Sequence, residues 1–400
     1  SSAFFQQTAF STMRQQDSAG FVQKFDSIYT YQRNHFTMEK DQMLVKMINQ
    51  NLPQQMIYFN RADLIKKLLE INTPAAKPDV LKSAAEYMSD KKKDLAIAEE
   101  YMHTAVVMKE KILDSISASK SGMAKERQEG ANKNTLADYY DSYAYILLQN
   151  GHAKEAFESM SKTYIYSKGS SDFWNRRYAN TIRAAFTGDS AITYLEPLVY
   201  QHHTDFAVKK MLMDAYKINN EKYASSIQSL EKIMASDKAT LIKELGKYAV
   251  NKPLPASVKF TTPSGEIFTA ENLKGKTTIL DFWATWCGPC IASFPAMQMA
   301  ITKYRDNSNI RFLFVNTFEN GDQQKLLQDF IHKNSYSFQY VKDQRDATGK
   351  WQAQKLFGIN SIPAKFIIDK KGMIRYKITG FNGDEDKTLE ELEIMIDISK

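Results

Sequence analysis

From Asp41 to about Tyr248, apolar residues recur at three- and four-residue intervals, glycine is scarce and alternating runs are absent, which predicts an all-helical region. The clearest stretch is Leu136 to Tyr166. Tyr140, Tyr143, Ala144, Leu147 and Leu148 mark one apolar face, Asn150-Gly151 predicts a turn, and Ala153, Ala156, Phe157 and Met160 mark a second face. After Val250 to Pro255, where Asn251, Pro253 and Pro255 interrupt the helical period, the pattern changes to short β-branched and aromatic runs. Val258–Thr261 and Glu266–Thr269 around Pro263-Ser264-Gly265 predict a hairpin, and Thr277–Trp283 predicts a buried strand. A helix is expected from about Cys287 past Ile301, kinked at Pro295. Then follow a strand at Ile310–Thr317, a helix at Asp322–Lys333, a strand at Phe338–Lys342 and a short helix at Trp351–Phe357. Strands at Ala364–Asp369 and Ile374–Thr379 complete the pattern. Alternating strands and helices predict a central sheet with helices on both faces. The expected architecture is thus two domains, an all-α domain over 1–250 and an α/β domain over 251–400.

Ala144 and Ala156 are echoed by Ala179 and Ala191 and then by Ala215 and Ile227, at spacings of 35 and 36 residues. Upstream, Ala98, Met102 and Ala105 fit the second helix of such a unit. This resembles the tetratricopeptide repeat, a helix pair of 34 residues whose stacks present a surface to an extended peptide or another protein. The alternative is an irregular helical bundle. Either way, a protein partner for the helical domain is expected.

Composition narrows the function classes. An apolar content of 43% and a charged content of 25% are ordinary for a soluble globular chain, and no run approaches the eighteen apolar residues of a membrane span. The net charge of +7 is spread over scattered lysines, which predicts solvated helix faces and no nucleic-acid partner. The opening segment, Ser1 to Gln7, has no methionine, basic stretch or apolar signal core, so a preceding signal, lipid anchor or tag is expected to have been removed.

Two cysteines in 400 residues exclude a disulfide-stapled scaffold, and Cys287 and Cys290 are three positions apart. The pair could be half of a zinc site, but zinc wants four ligands. Of the histidines only His332 falls in this half, the others being His35, His103, His152, His202 and His203. No metal and no cofactor besides a redox-active disulfide is expected. A thiol at a helix N-terminus faces unpaired N–H groups and the positive end of the helix dipole, both of which favour thiolate. Cys287, partly exposed, would attack a substrate disulfide, and the more buried Cys290 would then displace the substrate. Pro289 suits a helix start, since it fixes φ and lacks an N–H that would go unpaired there. Asp281, six residues before Cys287 and flanked by Ile279, Leu280 and Phe282, is a candidate proton-exchanging group if buried. An exposed strand-edge aspartate is the alternative.

The run Asp281-Phe282-Trp283-Ala284-Thr285-Trp286-Cys287-Gly288-Pro289-Cys290, with Ser361-Ile362-Pro363-Ala364 beginning 71 residues later, resembles the thioredoxin superfamily over Pro253 to about Lys400. The early hairpin and the segment between the motif helix and Pro363 resemble the TlpA/ResA type of bacterial extracytoplasmic thiol-disulfide oxidoreductase, with an AhpC/TSA-redoxin-type domain. The resemblance implies a thioredoxin fold, catalytic roles for Cys287, Cys290 and Asp281, and a cis Pro363 against the cysteines. It also implies peptide binding at Trp286, Gly288, Pro289, Ile362 and Pro363, with the Ile362 backbone free to pair. Expected partners are protein thiols or disulfides and an upstream electron donor, membrane-bound or soluble. The expected location is periplasmic or otherwise extracytoplasmic. Cys-Gly-Pro-Cys matches the reducing type, near −270 mV in thioredoxin against about −120 mV in the oxidant DsbA. The chain departs from the TlpA/ResA type at Ser293, where a glutamate is common, and at Ala364, where a threonine is usual. Three functions are therefore expected in turn: a protein disulfide reductase, an interaction scaffold with a regulatory redox switch, or a thiol peroxidase. The last lacks the threonine three residues before its cysteine, Ala284 standing there.

Overall fold

In a computed structural model of the chain, the described residues are 52–201 and 204–400, with Gly20, Val22, Gln23, Phe25 and Asp26. The helical expectation for Asp41 to Asn51, the opening segment, and His35, His202 and His203 lie outside them. The chain forms two compact units, which part near Tyr223.

The first unit contains helices α1 (Asp63–Ile71), α2 (Lys77–Asp90), α3 (Leu95–Ala118), α4 (Gly122–Gln149), α5 (Ala153–Ser167), α6 (Asp172–Ala185) and α7 (Gly188–Gln201), and nearly all of α8 (Phe206–Lys217). The turn between α4 and α5 needs Gly151, whose φ is +82° and whose N–H bonds the Leu148 carbonyl, a left-handed helix stop that a side chain would strain. Ala144 and Ala156 are buried where these helices meet. Their small side chains let α5 come close enough for Ser159 and Thr163 to donate to the α4 carbonyls of Tyr140 and Ala137, at 2.9 and 3.0 Å. Ala98, Met102, Ala105, Ala179 and Ala191 are buried too, whereas Ile227 is half-buried and belongs to the second unit. Among the described residues no helix is long and apolar enough to cross a membrane.

The second unit contains α9 (Ala224–Leu245) and then an eight-stranded sheet of order β1-β8-β7-β4-β5-β6-β2-β3. The strands are β1 (Ala249–Pro253), β2 (Lys259–Thr261), β3 (Ile267–Thr269), β4 (Thr277–Trp283), β5 (Ile310–Asn316), β6 (Tyr340–Lys342), β7 (Ala364–Ile368) and β8 (Met373–Thr379). The helices among and after them are α10 (Gly288–Ala292), α11 (Phe294–Tyr304), α12 (Gln323–Lys333), α13 (Gln352–Phe357) and α14 (Glu385–Ile398). Every residue of β4 is buried, as its unbroken apolar character predicts for a central strand. It runs parallel to β5 and antiparallel to β7. Alternation along β4 divides the core. Ile279 and Trp283 face a cluster with Phe294, Phe314, Leu327 and Met395, while Leu280 and Phe282 face another with Val315, Phe357 and Phe366.

Four features differ from the sequence reading. At the expected boundary, Pro253 and Asn251 sit in β1, an edge strand against β8 with a shift in register, the setting in which a sheet tolerates proline. Helix α9 goes with the sheet unit, because Leu241 and Leu245 pack into the cluster around Trp283. The helix after the cysteines breaks at Ser293, since Pro295 cannot donate to the Ile291 carbonyl. The unpredicted α14 starts at Asp384, whose carboxylate takes the Lys387 N–H at 2.9 Å.

Candidate active site

Strand β4 ends at Trp283, and a turn closed by Cys287 N–H to Ala284 carbonyl (3.1 Å) delivers Cys287 to the start of α10. There its Sγ accepts the Cys290 N–H at 3.3 Å. The two sulfurs form a disulfide, with Cα atoms 5.3 Å apart. Cys290 is fully buried and Cys287 only 3% exposed, less than the partial exposure expected, because the neighbouring Trp286 and Pro289 and the Ile362 loop wall it in. Cys287 opens onto a groove of about 480 Å³ lined by Trp286, Gly288, Pro289, Phe318, Ser361 and Ile362. The Ile362–Pro363 peptide is cis, and the Pro363 carbonyl accepts from Gly380 N–H. Trp286, Gly288, Pro289 and Ile362 thus meet around Cys287, while Pro363 is buried beneath the rim.

Asp281 lies on the same face of β4 as Ile279 and Trp283, the face that packs against Cys290. It is 1% exposed, and burial pushes its carboxyl above the ordinary range, opposed by the Lys365 ammonium. Lys365 is opposite Asp281 in the antiparallel β4–β7 register, so the two side chains share a face, with Nζ 3.3 Å from Oδ2. The same Nζ donates to Ser293 Oγ at 3.1 Å, and Ser293 Oγ–H donates to the Cys290 carbonyl at 2.8 Å. A chain of contacts therefore joins the buried acid to the second cysteine through the position where a glutamate was expected.

A second carboxylate lies beneath the motif. Glu319 is 1% exposed; its Oε1 accepts from Thr285 N–H and Asn316 Nδ2, both at 2.6 Å, and its Oε2 from Thr285 Oγ1 at 2.9 Å. Next to it, the Phe318 carbonyl accepts from Trp286 Nε1 at 2.9 Å. The β5–α12 loop thus fixes both residues that precede Cys287. Arg345 supports this loop, donating to the Glu319 carbonyl at 3.1 Å while its guanidinium stacks over Trp351.

Sequence reasoning passed over Lys365 and Glu319. Lys365 carried a signal, a lone cation in the apolar run Ala364–Ile368, which must find a partner if the strand is buried. Glu319 carried none, its partner Thr285 being 34 residues away. Among the described residues no cluster of histidine, cysteine and carboxylate side chains has the makings of a metal site.

The AhpC/TSA family pattern matches residues 250–377. Sporulation thiol-disulfide oxidoreductase A of Bacillus subtilis is 32% identical over 121 residues, 30% of this chain and 69% of that protein. Thiol-disulfide oxidoreductase ResA of Geobacillus thermodenitrificans is 31% identical over 115 residues, 29% of this chain and 61% of that protein. The crystal structure of StoA from Bacillus subtilis is 28% identical and covers 35% of this chain and 98% of its own, with a TM-score of 0.29. The first relative is matched over more than two thirds of its length, and Cys287 and Ile362 line one groove beside a sheet flanked by helices. Over residues 250–377, the chain belongs to the thiol-disulfide oxidoreductases of the ResA type within the thioredoxin superfamily.

Proposed function

We propose that the chain is a protein disulfide reductase, with Cys287 as nucleophile, Cys290 as resolving thiol and Asp281 as the group that takes the Cys290 proton. The observation that carries this reading is a cysteine pair at a helix start, open to a groove on the Cys287 side and backed by a buried carboxyl on the Cys290 side. In the reduced enzyme, Cys287 thiolate attacks one sulfur of a substrate disulfide, forming a mixed disulfide and releasing the first substrate thiolate, which takes a proton from water. Cys290 gives its proton to Asp281 and attacks Cys287 Sγ. The second substrate thiolate leaves and is protonated, so two electrons have passed from the dithiol to the substrate. An acid whose proton affinity burial has raised accepts that proton at neutral pH more readily than an ordinary carboxylate.

Trp286, 55% exposed beside Cys287, offers an apolar platform to a bound peptide, and Ile362 offers its backbone along the opposite wall. We further propose an extracytoplasmic location, re-reduction by an upstream thiol donor, and recruitment of substrate or partner by the helical domain. Exposed Tyr145, Phe173 and Tyr200 on the helical domain provide apolar contact surface for such a partner. The test is the reduction potential of the Cys287–Cys290 couple, by equilibration with dithiothreitol or glutathione and with Cys290→Ser as control. A value near about −270 mV supports a reductase, and one near about −120 mV overturns it in favour of an oxidant or isomerase.

A further inference from the structure

Lys365 has a second role open to it, because its side chain forms part of another cavity. This cavity, of about 250 Å³, is lined by Lys365, Tyr248, Thr379, Asn382, Thr388 and Glu391 among others, and it shares no lining residue with the groove at Cys287. It has room for several waters at about 30 Å³ each, and its walls offer hydroxyl, amide and carboxylate partners for them. Lys365 is 3% exposed, so it separates the cavity from Asp281 without opening the acid to bulk solvent. Both Asp281 oxygens lack a well-aligned hydrogen bond, and the ion pair with Lys365 is the charged contact that reaches them.

We propose that this cavity is a proton port, through which Asp281 exchanges protons with solvent by way of Lys365 while the substrate groove is occupied. The inference rests on the reading of Asp281 as proton acceptor for Cys290. After Cys290 has given up its proton, Asp281 is neutral. It returns to the carboxylate by passing that proton to Lys365 Nζ as Lys365 releases one of its own to cavity water. One proton enters the relay and one leaves, so Lys365 ends as it began. The groove is an unsuitable exit at that moment, since a substrate joined to Cys287 covers it. At the cavity wall Glu391 is half-buried, its carboxyl pushed up by burial against the opposing Lys387 and Lys247, and it adds a second carboxyl to the cavity lining. The groups facing Asp281 itself are Lys365 on β7 and, through Ser293, the Cys290 end of α10.

The test follows the Asp281 carboxyl by infrared absorption after a pH jump across its own transition, which is located first in each variant by infrared titration. The band is assigned by its loss in Asp281→Asn. The groove is closed by trapping a peptide thiol on Cys287 in the Cys290→Ser full-length chain. With the groove closed, the carboxyl relaxation is expected to stay within about twofold of the free protein, whereas Lys365→Met or Thr388→Leu, which remove the relay or fill the cavity, slow it about tenfold. Glu391→Leu is the second cavity variant should Thr388→Leu fail to fold. Slowing on closing the groove, or unchanged relaxation in folded cavity variants, overturns the port. If Cys290→Ser traps no mixed disulfide at all, the underlying assignment of Cys287 as nucleophile fails instead, so the two failures are distinguishable.

Discussion

Replacing Glu319 by alanine removes the acceptor for three donors at once. Thr285 is half-buried and its hydroxyl can turn to water, but Thr285 N–H and Asn316 Nδ2 remain in a region where Asn316 is fully buried. Each buried donor left without a partner costs about 1–3 kcal/mol, so the two left by Glu319→Ala are expected to destabilise the second unit by about 2–6 kcal/mol. Glu319→Gln keeps one carbonyl oxygen for Thr285 N–H and Asn316, and its amide can donate to the Thr285 hydroxyl; about 1 kcal/mol is expected. The opposing effect is the desolvation of a carboxylate that forms no ion pair among the described residues, a penalty that both substitutions relieve. Urea unfolding of the oxidised chain, followed by tryptophan fluorescence, compares the two. Three of the four tryptophans, Trp283, Trp286 and Trp351, report from the second unit. A loss below about 1 kcal/mol for alanine would refute the argument and show that desolvation of the carboxylate dominates its hydrogen bonds, and a greater loss for glutamine than for alanine would refute the assigned hydrogen bonds.

Other expectations follow from the same contacts. Cys287→Ser abolishes disulfide reduction, whereas Cys290→Ser accumulates a mixed disulfide on Cys287 visible as a mass adduct; an adduct that accumulates on Cys290 in Cys287→Ser and not on Cys287 in Cys290→Ser would reverse the assigned roles. In the helical unit, burial pushes the Asp141 carboxyl up to about 6 from 3.8, with Arg177 opposing. Folding thus favours the protonated form, so its stabilising contribution is full below about pH 4 and lost as pH rises through about 6. Asp141→Asn is expected to flatten a slope of about 3 kcal/mol between pH 4 and pH 7 in the unfolding of that unit, and an unchanged slope would exclude the assignment. Phe294 is fully buried with its ring among those of Trp283, Phe314, Phe330 and Phe338; Phe294→Ala should destabilise the second unit by about 3–5 kcal/mol in denaturant unfolding.

The redox pair was legible in the sequence because its chemistry is local. Two residues separate the cysteines, Pro289 marks the helix start and the apolar run before them marks the strand, all within fourteen positions. Pro363 and Asp281 were legible through the resemblance, and the helix hairpin at Asn150-Gly151 through period and turn chemistry alone. Each is a statement about neighbours along the chain. The pairing of Asp281 with Lys365 depends on the register of two strands 84 positions apart, and no local pattern carries a register. The hold of Glu319 on Thr285 likewise needs the parallel β4–β5 pairing that sets their two following loops side by side. Val250 to Pro255 read only as a boundary because the strand character of Ala249–Pro253 comes from the free edge of β8, which hydrogen-bonds whatever backbone reaches it. Helix α9 is an ordinary amphipathic helix in sequence, and only the hydrophobic cluster that receives Leu241 and Leu245 assigns it to the sheet. Thus the reactive atoms follow from residue order, while the groups that hold their charge and geometry follow from which strands and loops the fold makes neighbours, because burial leaves a polar side chain no partner except the one that tertiary structure brings to it.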